Sequence, residues 1–151
     1  MNGPAENPVL ESIKEKFLRK VVTGSRSPAG NWLSFTLQSI DSGKATLSLP
    51  VKPEMGNPYG NIHGGMMSLV IDEAIGWAVA SLGARQHYTS LTLNVDFLFA
   101  ARVGEQIRVV AEVLRTGKKI INVEAHVFDA SDRILARANS NLIATNMEFQ
   151  D

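Results

Sequence analysis

The stretch that decides the fold of this chain is Asn57-Pro58-Tyr59-Gly60-Asn61-Ile62-His63-Gly64-Gly65, together with the long apolar run that follows it as far as Leu82. Glycines at the start of a helix leave backbone N–H groups free, and such groups can bind a developing oxyanion. Asp72 lies inside the apolar run. A mid-helix Asp is disfavoured and a buried unpaired carboxylate costs several kcal/mol, so a structural role explains Asp72 poorly. The stretch therefore predicts a buried helix that carries half of a hydrolytic site.

One narrow stripe of this predicted helix is small or polar. Steps of three and four residues from Gly65 reach Ser68, Asp72 and Gly76, on a helix that is otherwise apolar. The stripe leaves room for a ligand, so Gly65 and Ser68 are candidate substrate-binding residues. Glu73 lies about 100° around the helix from Asp72 and is expected to meet water or a basic partner.

The elements on either side of this helix follow from capping residues and periodicity. Asn7 and Pro8 start an amphipathic helix over about residues 8–20, and Gly24–Asn31 has the composition of a loop. The central helix is predicted from Gly64 to Leu82, with Gly83 as its stop. The predicted strands are Trp32–Ile40, Ala45–Leu49 and four longer segments at about 88–99, 105–116, 119–129 and 133–145.

The cleanest alternation occurs in the first of the four longer strands. Its apolar members are expected to face the core; they are Leu91, Leu93, Val95, Phe97 and Phe99. The links between strands are too short for crossover helices, so the sheet should be antiparallel. The sequence thus predicts one α+β domain over residues 1–151, with a sheet wrapped around one long helix in a core of about 32–146 and an extra N-terminal helix.

Composition excludes several classes of function. Fifteen basic residues balance fifteen acidic ones, which argues against a nucleic-acid or membrane-surface partner. There is no cysteine, so disulfides, thiolate catalysis and cysteine-ligated metals are excluded. The three histidines lack ligand spacing, and we expect no metal. No basic start precedes an apolar run at the N-terminus, and the longest apolar stretch is interrupted by polar residues, which favours a cytoplasmic protein.

The motif resembles that of the hotdog-fold acyl-CoA thioesterases, in particular the phenylacetyl-CoA thioesterase-like branch. The residues that carry the resemblance are Asn57, Gly60, His63-Gly64-Gly65 and Asp72, and it extends over about residues 45–145. It includes a Ser90–Phe99 strand and a Gly104-Glu105 turn. The chain departs from the pattern at Ala100-Ala101, where many relatives have a proline.

This resemblance implies roles for five residues in thioester hydrolysis. The Gly64 amide would hold the substrate carbonyl, and Asp72 would act as nucleophile or as general base toward water. Asn57 matches an asparagine that helps to hold the carbonyl or the water. His63 would lie near the thioester, where it either fastens the loop or contacts substrate. Ser90 would position water, although the alternation places it on the face opposite Leu91. The resemblance implies no cofactor apart from the coenzyme A of the substrate.

Helix geometry predicts that the site needs two subunits. Asp72 is eight residues beyond Gly64, which is about 12 Å along a helix axis, whereas reacting atoms must approach to about 3–3.5 Å. Two antiparallel helices related by a two-fold axis can bring the groups together. This agrees with the homodimer that the resemblance implies. The resemblance also implies a tetramer, because an exposed sheet face often supports tetramers in this family.

Some assignments leave alternatives open. Lys118 and Arg115 either meet the phosphates of coenzyme A or belong to a solvated turn, and Met67 either shapes the acyl pocket or packs in the core. The rival functions are a hotdog dehydratase or hydratase, which would need a catalytic His facing an acid, and a non-catalytic acyl-CoA-binding protein.

Overall fold

The computed structural model describes residues 5–148, so the ends of the predicted domain at 1–4 and 149–151 lie outside the described residues. Residues 8–148 form three α-helices, one 3₁₀ turn at Pro53–Met55 and six strands. The elements are α1 Pro8–Phe17, α2 Pro28–Leu33, β1 Thr36–Asp41, β2 Lys44–Pro50, α3 Gly64–Ala80, β3 Gln86–Phe97, β4 Gln106–Thr116, β5 Ile120–Asp129 and β6 Ile134–Glu148. Within residues 5–148, no helix has the length and apolar character needed to cross a membrane.

The six strands form one antiparallel sheet in the order β1-β2-β4-β5-β6-β3. Helix α3 packs on β2, β3, β4 and β5. Its fully buried residues share one core with the inward side chains of the sheet; they are Val70, Ile71, Ala74, Ile75 and Ala78. This arrangement confirms the predicted hotdog fold, in which an antiparallel sheet wraps around a long central helix.

Helix α3 ends at Ala80, two residues before the predicted end. Ser81 is buried and fastens the end of the helix to the β1–β2 turn, because its Oγ accepts from Gly43 N at 2.8 Å and donates to Ala78 O at 2.7 Å. Gly83 then takes a φ of +76°, a conformation that favours glycine. The predicted stop signal at Gly83 is therefore the residue at which the chain turns toward β3.

The region before β1 differs from the sequence prediction. Residues 28–33 form helix α2, whereas the prediction placed a loop to Asn31 and a strand from Trp32. Ser27 caps this helix by accepting from Gly30 N at 3.1 Å, and Ser34 ends it with a φ of +53°. The cap and Pro28 at the first position favour a helix over the strand that the apolar residues suggested.

Helix α2 is held against α3 through Glu73. The Glu73 carboxylate accepts from Ser27 Oγ at 2.9 Å and from Trp77 Nε1 at 3.0 Å. The expected water or basic partner is thus replaced by two neutral donors. Glu73 therefore joins the two helices, while the adjacent Asp72 faces elsewhere.

Helix α1 ends at Phe17, three residues before the predicted end. Leu18 is extended, and the chain makes isolated bridges from Leu18 to Leu37 and from Val21 to Thr36 on β1. Pairing with an open strand edge replaces the last helical turn. The bridges cover part of the β1 edge, whereas no strand within residues 5–148 pairs with the outer edge of β3.

Strand β3 does not keep the strict alternation that the sequence predicts. Leu93 and Val95 pack on the core as expected. Leu91, Phe97 and Phe99 instead remain 56%, 56% and 54% exposed. This part of the prediction is wrong because β3 lies at the sheet edge, where an apolar row can face open space.

A bulge explains the change of face within β3. Ser90 pairs with Leu142 and Thr92 pairs with the adjacent Asn141, so Leu91 is an extra residue. The bulge turns both Ser90 and Leu93 toward α3, which strict alternation forbids for residues three apart.

We predict that Gly30→Ala destabilises the fold. A Cβ at Gly30 would lie 2.0 Å from Glu73 Oε1, so either α2 or the Glu73 carboxylate must move. The free energy of unfolding in urea should fall by about 1–3 kcal/mol. Gly24→Ala is the matched control, since a Cβ there meets nothing within 4 Å. Equal stability of the two variants would contradict the packing described for Glu73.

Candidate active site

The loop before α3 is a tight structure built around Asn57. Its Oδ1 accepts from Tyr59 N at 2.9 Å and from Asn61 N at 3.1 Å, and Gly60 takes a φ of +78°. The loop is also bonded to the connection between β3 and β4, because Ile62 N donates to Ala101 O at 2.7 Å. Among residues 5–148 the Asn57 Nδ2 group has no acceptor, so it is free to donate to a ligand.

His63 caps the first turn of α3. Its Nδ1 accepts from Gly65 N at 2.9 Å, and its backbone N–H donates to Met55 O at 2.8 Å. The Met67 N–H is satisfied by His63 O at 2.9 Å. The Gly64 N–H, by contrast, has no acceptor among the described residues. The cap thus leaves the first helical amide available as a donor.

A groove of about 300 Å³ lies beside this amide. It is lined by polar loop residues on one side and by the end of β3 on the other; the lining residues are Asn57, Asn61, Ile62, Gly64, Met67, Phe97, Leu98, Phe99 and Ala100. The Phe97 ring is 3.5 Å from the position that a Cβ on Gly64 would occupy. Gly64 therefore lies against the far end of β3.

Asp72 lies two turns further along α3 and is paired with Ser90 on β3. The Ser90 Oγ donates to Asp72 Oδ1 at 3.2 Å. Both residues are exposed in the single chain. This differs from the expected burial of Asp72 inside the apolar helix, because the stripe of small residues faces open space in the single chain. The carboxylate is reachable by a substrate and is oriented by a hydroxyl.

The remaining candidate residues are distributed differently. Gly65 is exposed, and its N–H donates to His63 Nδ1. The Ser68 Oγ donates to Gly64 O at 2.9 Å. Met67 is in the core, and it also lines the groove. Arg115 and Lys118 are exposed at the β4–β5 connection and do not line the groove.

The structure thus gathers the predicted residues into two separate groups. Asn57 and Gly64 line the groove at the N-terminus of α3, where His63 caps the helix, while Asp72 and Ser90 form a pair further along. Because α3 is a continuous helix, about 12 Å of axial rise separates Gly64 from Asp72. One chain does not bring the two groups to the same atom.

The sequence interpretation missed the residues that complete the groove. The sequence predicts Phe97 and Phe99 in the core, and it does not single out Leu98 or Asn61 as site residues. Phe97 is the last residue of β3 and Phe99 lies in the connection that follows, a position where side chains can border a site. Among the described residues, no cluster of three or more His, Cys, Asp or Glu side chains could hold a metal ion.

Comparisons with known proteins identify the family of the chain. The model of the thioesterase superfamily matches residues 59–136, a range that contains both groups from His63 onward. A putative esterase of Sulfurisphaera tokodaii is 31% identical over 102 residues, which cover 68% of this chain and 75% of that protein. Acyl-coenzyme A thioesterase 13 of Homo sapiens is 29% identical over 112 residues, which cover 74% and 79% of the two chains.

Solved structures confirm the architecture. The PaaI protein from the phenylacetic acid degradation operon of E. coli superposes with a TM-score of 0.72 at 22% identity, covering 76% of this chain and 86% of that one. A hypothetical thioesterase of Streptococcus pneumoniae TIGR4, solved with coenzyme A, gives a TM-score of 0.71 at 19% identity, covering 76% and 88%. These likenesses bear on the fold alone, whereas the family model and the sequence relatives bear on descent. The chain belongs to the thioesterase superfamily, and it is a thioester hydrolase with the hotdog fold.

Proposed function

We propose that the protein hydrolyses acyl-CoA thioesters in a site shared by two copies of the chain. The observation that carries this proposal is that one continuous helix holds the free amide of Gly64 apart from Asp72, which is paired with Ser90 on β3. The relatives named acyl-coenzyme A thioesterase 13 support coenzyme A as the leaving group.

The N-terminus of α3 would polarise the thioester carbonyl. The Gly64 N–H is free, and the positive end of the helix dipole lies at the same place. The Asn57 Nδ2 group borders the same groove and would donate a second hydrogen bond to the carbonyl or to water. His63 then acts by fixing the loop, since its Nδ1 is engaged by Gly65.

Asp72 would act either as general base toward water or as the nucleophile itself. As a general base, the carboxylate takes a proton from water while the water oxygen adds to the carbonyl carbon. The oxyanion collapses, the carbon–sulfur bond breaks, and the proton passes to the coenzyme A thiolate. As a nucleophile, the Asp72 carboxylate would instead add to the carbonyl carbon, and the carbon–sulfur bond would break to give an anhydride and the coenzyme A thiolate. Water would then open the anhydride to the free acid and the Asp72 carboxylate, and a proton from that water would pass to the thiolate. In both cases the Ser90 hydroxyl orients the carboxylate, and the mechanism uses no metal or added cofactor.

The open edge of β3 supports an antiparallel dimer. Gly64 lies against Phe97 near one end of β3, and Asp72 is bonded to Ser90 nearer the other end. Antiparallel pairing of β3 with a second copy, about a two-fold axis near Leu93 and Asn94, would place the Phe97 end of one β3 beside the Ser90 end of the other. Asp72 would then approach Gly64 of the partner subunit, so that each dimer holds two sites.

Such a dimer also accounts for the apolar side chains of this edge. Leu91, Phe97, Leu98 and Phe99 are all largely exposed in the single chain. An unpaired apolar strand edge is an association surface unless it is covered. Tetramer formation, a cytoplasmic location and phosphate contacts by Lys118 and Arg115 stay predictions.

We predict that Gly64→Pro abolishes turnover in a folded protein. Proline removes the N–H but suits the first position of a helix, and His63 already has the extended backbone that a residue before proline requires. Loss of an oxyanion donor should lower kcat by about 10² or more, measured as thiol release from coenzyme A esters. Gly64→Ala keeps the N–H, and its Cβ meets Phe97 at an ordinary 3.5 Å, so this control should retain most activity. Equal rates for the two variants would remove the Gly64 amide from the mechanism.

Asp72→Asn should reduce kcat by about 10² or more, because the amide can neither take the proton nor attack the carbonyl. Ser90→Ala should have a smaller effect of about tenfold, since it removes one hydrogen bond to the carboxylate. Thiol release from a panel of coenzyme A esters measures both. Asp41→Asn is the control, as Asp41 is an exposed carboxylate on β1. Binding of coenzyme A esters by wild-type protein without release, unchanged by Asp72→Asn, would identify a binding protein instead.

Mixing the two inactive variants tests the shared site. A dimer of one Gly64→Pro chain with one Asp72→Asn chain contains one site with both groups intact and one with neither. After unfolding and refolding of an equal mixture, about a quarter of wild-type activity should return, because half of the dimers are mixed and each has one working site. If each chain used its own Gly64 and Asp72, the mixture would stay as inactive as its components.

A further inference from the structure

A second cavity lies one turn beyond Asp72 along α3. Its volume is about 150 Å³, and its walls are mainly apolar. It is lined by residues of α3, the start of β3 and β6; they are Gly76, Val79, Ala80, Ala84, Gln86, His87, Tyr88 and Leu142. We propose that this cavity receives the acyl group of the substrate and that Gly76 sets the size of the group that fits. The proposal rests on the function proposed above and adds the class of acyl group.

The cavity begins about one helical turn beyond the Asp72–Ser90 pair. Gly76 follows Asp72 by one helical turn, or about 6 Å, on the same face of α3. On the opposite wall, Tyr88 precedes Ser90 by two residues on β3 and, like Ser90, is turned toward the core side. An acyl chain whose carbonyl lies at Asp72 therefore meets this cavity with its first few carbon atoms.

No packing contact in the single chain explains why residue 76 is glycine. A Cβ at Gly76 would meet nothing within 4 Å, and its φ is not in the left-handed region. Glycine in the middle of a helix is less favourable than alanine, so neither backbone conformation nor crowding requires it here. The missing side chain keeps the cavity open toward Asp72.

The volume indicates a compact acyl group. An apolar cavity of about 150 Å³ holds a molecule of the size of benzene. The structure therefore favours acyl groups with about six carbon atoms, in a ring or a short chain, over long fatty acyl groups. A long chain would exceed this volume and would meet polar side chains of the lining, among them Gln86 and His87.

The test compares ester profiles for wild type, Gly76→Ala and Gly76→Leu, with acetyl-, hexanoyl-, benzoyl- and palmitoyl-CoA as substrates. Wild type should prefer the hexanoyl and benzoyl esters. Gly76→Leu should lower kcat/KM for these two esters about tenfold or more relative to acetyl-CoA, because the side chain fills the cavity. Gly76→Ala should show a smaller change in the same direction and a midpoint of thermal unfolding raised by about 2–4 °C. Val79→Ala should shift preference toward larger groups.

Two results would overturn the assignment. An unchanged ester profile in Gly76→Leu would place the acyl group elsewhere. An equal loss of rate on every ester, together with dissociation of the dimer in light scattering, would make Gly76 a contact between subunits instead. A wild type that releases thiol from none of the esters refutes the proposed function, and with it the pocket, so that failure is distinguishable from failure of the pocket alone.

Discussion

The rigidity of one helix is the constraint on which the site depends. Residues Gly64–Ala80 form a continuous α-helix whose inner face is locked into the core, so neither end can shift without loss of packing. The free amide at its first residue and the carboxylate two turns later are consequently held at fixed positions that differ by about 12 Å along the helix axis. Within one chain these groups cannot share a carbonyl. A second copy in antiparallel orientation resolves the problem without any movement of the helix.

The same constraint accounts for features that look unfavourable in the single chain. The β1 edge is partly covered by the segment after α1, whereas the β3 edge is left open and carries large apolar side chains. Asp72 and Gly76 also face open space on α3. The open β3 edge, Asp72 and Gly76 lie on one side of the molecule, between the free strand edge and the small-residue stripe of α3. An interface on this side would cover them together, and it would form the site by the same contact.

Sequence patterns predicted the helices and strands that have long, clear periods, but not the features that depend on pairing. The central helix, its glycine start and the four long strands follow from local signals. The bulge at Leu91 depends on the register with β6, which no pattern within β3 records. For this reason the alternation placed Ser90 on the wrong face, whereas the structure pairs its hydroxyl with Asp72. Helix α2 is not predicted because the Ser, Gly and Pro content of residues 24–31 is typical of a loop and Trp32 and Leu33 resemble the start of a strand, although Ser27 and Pro28 carry a capping signal.

There is a further physical reason why the sequence of β3 does not show which of its side chains pack against the core. A strand at a sheet edge can bury its apolar row against its own core or against another chain, and the sequence pattern is the same in both cases. Leu93 and Val95 pack against the core of their own chain, while Phe97 and Phe99 border the groove.

In the proposed dimer the burial of Asp72 has a chemical consequence. Covering Asp72 removes water from a carboxylate, which costs free energy unless donors replace the water. The Ser90 hydroxyl is one such donor in the same chain. The N-terminus of α3 of the partner subunit brings the positive end of a helix dipole to the same place. The feature that would bind the oxyanion thus also offsets the burial of the charge that attacks it, so assembly and catalysis would draw on a single electrostatic arrangement.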